Sequence, residues 1–185
     1  MRFKKDILNA VDVALKGGVI CYPTEGVYGL GCLPEEPEAV QRILDFKGRK
    51  AANGVILIGG SPEHLFPWIA PTAAEIDNLF SRTEHPTTWI VTASAIAPYW
   101  ITGGRNTVAV RLCEHPVAMA LCEQADSALV STSANRTGKA PATSAVAARY
   151  RMRDVADAVV GGATLTGCGP SAIRLGSDGT VIRPV

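Results

Sequence analysis

Residues 129–138 change abruptly from apolar to polar, and this change constrains the fold more than any other feature of the chain. Leu129 and Val130 are typical of the end of a buried strand, and three hydroxyl side chains and one amide follow within five residues. Open α/β sheets bind ligands at the carboxyl ends of their strands, where such small donors and acceptors emerge. Serine, threonine and asparagine are also common in ordinary turns. The stretch therefore indicates either a ligand-binding strand end or a polar turn.

Length and composition predict one globular domain over residues 1–185. A chain of 185 residues, 47% of them hydrophobic, is long enough to bury a sizeable core. The net charge of +1 does not support a broad nucleic-acid-binding surface, which needs a strongly basic face. No early apolar run is long enough for a signal peptide or a membrane span, so we expect a cytoplasmic protein that contacts no membrane. The five cysteines include no C-x-x-C pair and are expected to be free thiols: Cys21, Cys32, Cys113, Cys122 and Cys168.

Hydrophobic periodicity predicts helices and strands that alternate loosely along the chain. Helices are expected at 6–16, 37–46, 72–80 and 116–124, with a short one from Ser61 and another that ends near Tyr150. Strands are expected at 19–22, 55–58, 87–93, 107–112, 155–160, 171–175 and 180–183, besides the strand that ends at 130. Residues 23–31 are predicted to form a glycine-spaced loop, because glycine permits positive φ and a close approach of the backbone to a ligand. This order predicts an α/β domain with a mixed sheet.

Cationic residues occur at two places that need an explanation, the run 46–50 and Arg111. The run 46–50 carries Lys47, Arg49 and Lys50 at the end of a predicted helix, where cations complement the helix dipole. Glycines at 48 and 54 bracket the run in a loop, so its cations are also able to reach inward. Arg111 lies near the end of an apolar strand, and a buried arginine normally has a partner. We expect Arg111 to meet a carboxylate, a phosphate or the edge of the sheet.

Several familiar sites are missing from the sequence. It contains no P-loop, no complete dinucleotide fingerprint, no zinc-binding cluster and no G-x-S-x-G motif. The histidines at 64, 85 and 115 are scattered, and we expect them in turns or on the surface. What remains is a set of cations and hydroxyls without an obvious general base or nucleophile. Such a set suits a polyanion, and phosphate-transfer chemistry can proceed by positioning and charge neutralisation, helped by Mg²⁺.

The sequence resembles the YrdC-like family of threonylcarbamoyl-AMP synthases over nearly its whole length. The motifs that carry the likeness are Tyr22-Pro23-Thr24-Glu25, Tyr28-Gly29-Leu30-Gly31, Lys47-Gly48-Arg49, Val108-Ala109-Val110-Arg111, Ser131-Thr132-Ser133-Ala134-Asn135 and Pro170-Ser171. The combination of K-x-R with S-x-N is specific, whereas either motif alone is weak. The resemblance implies a single YrdC-like domain with a twisted, open, mixed sheet, flanking helices and a concave ligand-binding surface.

The resemblance also implies an activity. Family members use ATP, L-threonine and bicarbonate to make threonylcarbamoyl-AMP and pyrophosphate, with Mg²⁺ held through the ATP phosphates. The product serves the N6-threonylcarbamoyl modification of adenosine 37 in tRNAs that read ANN codons. The chain is similar to the short bacterial form, which implies separate threonylcarbamoyl-transferase proteins as partners.

By similarity, the residues of the motifs receive roles. The resemblance implies catalytic roles for Lys47, Arg49, Ser133 and Asn135. It implies an ATP site made of these four with Thr107, Pro141 and Arg183. It implies a threonine site made of Thr24, Arg111, Ser131 and Ser171. Arg111 is expected to bind the threonine carboxylate, since a guanidinium matches a carboxylate bidentately, and a structural ion pair is the alternative.

The chain departs from the family in two places, and other functions stay open. His85-Pro86-Thr87-Thr88 replaces a G-P-x-T segment, so we expect a changed loop there. The segment 171–175 lacks a threonine and an aspartate of the family pattern. A double-stranded RNA or tRNA-binding module is the alternative function, with phosphate contacts from Lys47, Arg49, Lys50 and Arg136. A carbamoyl-transfer domain like that of hydrogenase maturation proteins is disfavoured, because the segments attached to it there are missing.

Overall fold

The computed structural model describes residues 2–165 and 169–184, so Cys168 and both chain ends lie outside the described residues. Its helices are α1 (Arg2–Leu15), α2 (Pro37–Lys47), α3 (Ala73–Leu79), α4 (Tyr99–Thr102), α5 (Pro116–Ala125) and α6 (Ala145–Arg151). Its strands are β1 (Ile20–Pro23), β2 (Tyr28–Cys32), β3 (Ile56–Gly59), β4 (Thr87–Thr92), β5 (Thr107–Leu112), β6 (Leu129–Ser133), β7 (Ala158–Val159), β8 (Ala172–Leu175) and β9 (Val181–Arg183). Three short 3₁₀ turns cover Ala51–Asn53, Pro62–His64 and Phe66–Trp68.

Within the described residues the strands form one mixed sheet of nine, as the sequence predicts. The strand order is β7-β1-β2-β6-β3-β5-β4-β8-β9. The pairs β1–β7, β3–β5 and β4–β8 are parallel, and the other five pairs are antiparallel. The organising strand β6 lies between β2 and β3, near the middle of the sheet. The carboxyl end of β6 therefore lies between two other strands and not at an edge of the sheet.

Helices pack on both faces of the sheet, because successive side chains of a strand point to opposite sides. Leu129 and Ile58 belong to an apolar cluster with helices α1 and α5. Val130 and Leu57, one position away on the same strands, belong to the cluster that contains helix α2. Burial of apolar surface in these two clusters is the main favourable term in folding. Ser131 and Ser133 share the face of Leu129, and they lie beyond the part of it that α1 and α5 cover.

The predicted loop 23–31 is wrong in its second half. Tyr28–Cys32 form strand β2, which is buried throughout and pairs with β1 and β6. A Cβ atom on Gly31 would collide with the carbonyl oxygen of Val130 on the neighbouring strand. Neither Gly29 nor Gly31 has a positive φ. Gly31 is therefore required by close packing between strands, and not by the left-handed conformation.

Other boundaries differ in detail. Helix α1 begins at Arg2, four residues earlier than predicted, because the exposed Lys4 and Lys5 near its start carry no apolar periodicity. Only Ala158–Val159 of the predicted strand 155–160 pair as a strand. The amides of Val155 and Ala156 instead bond back to the carbonyl of Met152 in a turn.

Local predictions that rest on capping and thiol chemistry are confirmed. Thr72 and Glu75 form the capping box of α3. His115 caps helix α5 as a turn residue, although it is buried and bonded to the carbonyl of Ala163. The four described cysteines are free and buried. No helix in the described part of the chain has the length and apolar character needed to cross a membrane.

Candidate functional site

A polar cleft lies at the ends of strands β2, β5 and β6. The hydroxyl-bearing residues that line it are Thr24, Tyr28, Thr88, Ser131, Thr132, Ser133 and Ser171. The cations that line it are Arg49, Arg111 and Arg183. A smaller cavity that shares Arg49, Ser131 and Thr132 with the cleft reaches inward to Lys47. Seven residues of the predicted site line the cleft, and Lys47 lines the smaller cavity beside it; the seven are Thr24, Arg49, Arg111, Ser131, Ser133, Ser171 and Arg183.

Lys47 joins the early basic run to the end of the organising strand. It is the last residue of α2, and Gly48 ends that helix in the left-handed conformation at φ 63°. The Lys47 ammonium nitrogen lies 2.6 Å from the Ser133 carbonyl oxygen, 2.9 Å from that of Asn135 and 3.1 Å from Asn135 Oδ1. The Ser133 hydroxyl donates to Asn135 Oδ1 over 2.6 Å. Lys47 of the K-x-R motif therefore contacts both polar residues of the S-x-N motif.

The surroundings of Lys47 disfavour its charged form in the folded protein. Its side chain is only 3% exposed. Burial, helped by the nearby Arg49 cation, lowers its pKa from the ordinary 10.5 to about 8. Burial and Arg49 also lower the pKa of Arg183. Among the described residues, none of these three cations has a carboxylate oxygen within 4.0 Å. A cluster of cations without carboxylates is suited to bind a polyanion.

Arg111 lies at the other end of the cleft and has a partner within the protein. Its Nη1 lies 2.8 Å from Glu25 Oε2, and both side chains are buried. Burial by itself would raise the pKa of Glu25, but Arg111 and the amide of Glu114 outweigh it and lower that pKa. Arg111 nevertheless lines the cleft, and its Nε is buried without a partner. The structural ion pair is therefore present, and part of the guanidinium stays available to a ligand.

Thr88 is a cleft residue that reasoning from the sequence missed. Thr88 is fully buried, and its hydroxyl lies 2.8 Å from the hydroxyl of Ser171. The sequence signal was the departing segment 85–88, for which we expected a changed loop. Thr87 and Thr88 begin strand β4, in agreement with the strand predicted at 87–93, and pair with β8; Thr88 lines the cleft.

Of the remaining predicted residues, some line or adjoin the cleft and others do not. Arg183 reaches the cleft from β9 and donates to the carbonyl of Ser171 over 2.7 Å. Asn135 touches Lys47 but borders a neighbouring cavity, together with Phe46 and Arg136. Thr107 and Pro141 are not among the described residues that line the cleft. Their predicted contacts with nucleotide stay predictions.

Metal ligands are scarce in this region. Within the described residues, no group of three or more histidine, cysteine, aspartate and glutamate side chains is placed to hold a metal ion. The oxygens beside the cations belong to neutral groups, the Ser133 hydroxyl and the Asn135 carboxamide.

Comparison with known proteins gives the family. The sequence model of the family described as "Telomere recombination", Sua5_yciO_yrdC, matches residues 12–184. A protein named threonylcarbamoyl-AMP synthase from Alkalilimnicola ehrlichii is 45% identical over 90% of this chain and 89% of the relative. One of the same name from Halorhodospira halophila is 43% identical over 91% of this chain and 88% of the relative.

Solved structures agree with the sequences. P. abyssi Sua5 complexed with L-threonine is 32% identical with a TM-score of 0.83 over 91% of this chain, and this chain spans 50% of that protein's length. E. coli YciO is 25% identical with a TM-score of 0.84 over 97% of this chain and 89% of its own. These likenesses confirm the predicted open, mixed α/β fold. The chain belongs to the Sua5/YciO/YrdC family.

Proposed function

We propose that this protein is a threonylcarbamoyl-AMP synthase, which makes L-threonylcarbamoyladenylate and pyrophosphate from L-threonine, bicarbonate and ATP. The observation that carries the proposal is the division of the cleft. One end holds Lys47, Arg49 and Arg183, which have no carboxylate partner among the described residues, and the other holds Arg111 among hydroxyls. A triphosphate fits the first end and an amino acid fits the second. Relatives of 40–45% identity carry the name of this activity.

The reaction needs no protein nucleophile. The amine of threonine and bicarbonate form a carbamate with loss of water. A carbamate oxygen then bonds to the α-phosphorus of ATP while the bond to the β-phosphate oxygen breaks, and pyrophosphate leaves with those electrons. The enzyme contributes by holding the carbamate in line with the leaving group and by neutralising charge on the phosphoryl oxygens.

Charge neutralisation falls to the cationic end of the cleft. The Lys47 ammonium is held by Ser133 and Asn135, so it is preorganised at a strand end before any phosphate arrives. Arg49 is exposed and shares the cleft with Ser133. Arg183 lines the cleft from β9 and donates to the carbonyl of Ser171, so it lies next to the amino-acid end. In this proposal the three cations bind the β- and γ-phosphates and the leaving pyrophosphate.

The hydroxyl-rich end receives the amino acid. Arg111 binds the carboxylate of threonine, while Thr24, Ser131 and Ser171 surround its amine and hydroxyl. Thr88 supports this end through its bond to Ser171. The proposal of an amino acid beside the cations is supported by Ser131 and Ser133, which follow each other on one face of β6.

Mg²⁺ fits the site as an ion that enters with ATP. Magnesium is commonly held by substrate phosphates, with few protein ligands. The Ser133 hydroxyl and the Asn135 carboxamide are the neutral oxygens that would face it, and when bound it supplies further neutralisation of the phosphates. The product would pass to separate threonylcarbamoyl-transferase proteins for the modification of adenosine 37 in tRNAs that read ANN codons.

Pyrophosphate release tests the proposal directly. Purified protein is incubated with ATP, Mg²⁺, L-threonine and bicarbonate, and the adenylate is identified by mass spectrometry. We expect pyrophosphate release that depends on both threonine and bicarbonate, since the carbamate is the nucleophile. Reactions that omit one component serve as controls. Release that continues without threonine, or no adenylate with all components present, contradicts the proposed function.

A further inference from the structure

Glu25 lies behind the cleft and is tied down at three points. Its Oε2 accepts from Arg111 Nη1 over 2.8 Å, and its Oε1 accepts from the backbone amide of Glu114 over 2.7 Å. Its carbonyl oxygen accepts from the amide of Leu165 over 2.8 Å. The side chain is 3% exposed. A buried carboxylate held so firmly has little freedom to follow a ligand.

The pairing fixes one corner of the Arg111 guanidinium. Among the described residues, the bond from Nη1 to Glu25 is the one hydrogen bond that this guanidinium makes. The Nε atom is buried and has no partner. Two parallel donors on one edge of a guanidinium match the two oxygens of a carboxylate. With Nη1 occupied by Glu25, Nε and Nη2 have no hydrogen-bond partner among the described residues, and the residue lines the cleft.

We propose that Glu25 is a positioning residue, which holds Arg111 so that its Nε–Nη2 edge faces the carboxylate of the amino-acid substrate. This inference rests on the proposed function, because it takes an amino acid as the ligand of this end of the cleft. Glu25 does not touch the substrate and acts through Arg111. The hydrogen bond from the Glu114 amide contributes to this positioning, because it fixes the location of the Glu25 carboxylate.

The chain offers a matched control for this pair. Asp157 accepts from Arg42 over 3.0 Å and from the backbone amide of Val19 over 2.8 Å, as Glu25 does from Arg111 and Glu114. Neither Asp157 nor Arg42 is among the described residues lining the cleft. Asp157→Asn therefore breaks a carboxylate–guanidinium pair that is more exposed, at 45% for the Arg42 side chain and 42% for that of Asp157, without touching the site.

Calorimetry and steady-state kinetics test the positioning role. For Glu25→Gln we expect the Kd and KM for L-threonine to rise about tenfold or more, because small misplacements of a binding group are costly. The KM for ATP should stay within about twofold, since the cationic end keeps all its groups. Glu25→Asp keeps the charge but is one methylene shorter, so the Kd and KM for threonine should rise less. If Glu25→Gln does not fold, Glu25→Asp takes its place as the test variant. Asp157→Asn should leave the KM for threonine unchanged.

The outcomes separate this inference from the proposed function. Wild-type protein that neither binds threonine nor makes adenylate contradicts the proposed function itself. Wild-type protein that does both, with a Glu25→Gln variant whose threonine Kd is unchanged, contradicts only the positioning role. A variant that raises both KM values equally, or an Asp157→Asn variant that raises the threonine KM as much, also overturns it, because either result reports a general loss of structure.

Discussion

The cations at the two ends of the cleft differ in whether a carboxylate of the protein balances their charge. Arg111 has its charge balanced by Glu25 inside the protein, whereas Lys47, Arg49 and Arg183 have no carboxylate partner among the described residues. Lys47 is surrounded by carbonyl and hydroxyl oxygens instead, and its pKa is lowered to about 8 by burial and by Arg49. A buried charge without an opposite charge is unfavourable. The cationic end is therefore under electrostatic strain that the Arg111 end does not have.

This difference matches the ligands that we propose for each end. A threonine carboxylate carries one negative charge, so a paired arginine with one free edge can bind it by geometry. A triphosphate carries several charges, and unpaired cations gain most when it arrives. We therefore expect charge to dominate binding at one end and orientation to dominate at the other. Substitutions that remove charge should act unequally on the two substrates.

Removal of the Lys47 charge should have the largest effect. Lys47→Met keeps much of the side-chain volume but leaves the carbonyls of Ser133 and Asn135 without their donor. Loss of one preorganised charged donor typically lowers kcat by about 10²–10³-fold, and we expect that loss in threonine-dependent pyrophosphate release. The free energy of unfolding should change by at most about 1–3 kcal/mol, the usual effect of one unsatisfied buried group.

The exposed Lys50 provides the control for this substitution. It lies three residues further on and has no side-chain hydrogen bond or ion pair among the described residues. Lys50→Met should retain full activity. If Lys47→Met keeps wild-type activity while folded, as judged by circular dichroism, the cationic end does not act as we propose.

Arg49 should matter less and in a different way. Its side chain is exposed and lines the cleft, so Arg49→Ala removes a charge from the phosphate end without leaving a buried group unsatisfied. We expect the KM for ATP to rise about tenfold, as for a lost charge-assisted bond, and the KM for threonine to stay nearly unchanged. Stability should move by less than about 0.5 kcal/mol. Equal rises in both KM values would show that the two ends are not separate.

The residues of the site were easier to predict than the contacts between them. Strand 107–112 and the capping box at Thr72 follow from local patterns, and the structure confirms both. The K-x-R and S-x-N motifs could be recognised by resemblance alone. Their contact, however, joins Lys47 to Ser133 across 86 positions of the sequence. Local periodicity contains no information about such a distance, because the pairing of β6 with β2 and β3 creates it.

Three features could not be predicted, and each depends on long-range packing. Strand β2 was predicted as a loop because of its glycines. The contacts that explain them come from neighbouring strands, which are distant in sequence or not evident from it. Glu25 was noticed as part of a motif, but nothing local pairs it with a residue 86 positions away. Thr88 was hidden within a segment that departs from the family pattern, and only its bond to Ser171 places it in the site.

Protonation of Lys47 should give the smallest signal and the most specific one. Its pKa in the folded protein, about 8, lies below the ordinary 10.5, so between these values the folded state binds fewer protons than the unfolded state. The Lys47 contribution to stability therefore increases as pH rises from about 8 towards 10.5. Phosphates placed beside the ammonium favour its charged form and raise its pKa. At pH 8.5 we expect ATP binding to take up a fraction of a proton, measured by calorimetry in two buffers of different ionisation enthalpy. Lys47→Met should abolish the uptake, whereas Glu25→Gln should retain it, because Glu25 lies at the end where charge is already balanced. Uptake that persists in Lys47→Met would assign the proton to another group and remove the electrostatic contrast between the two ends.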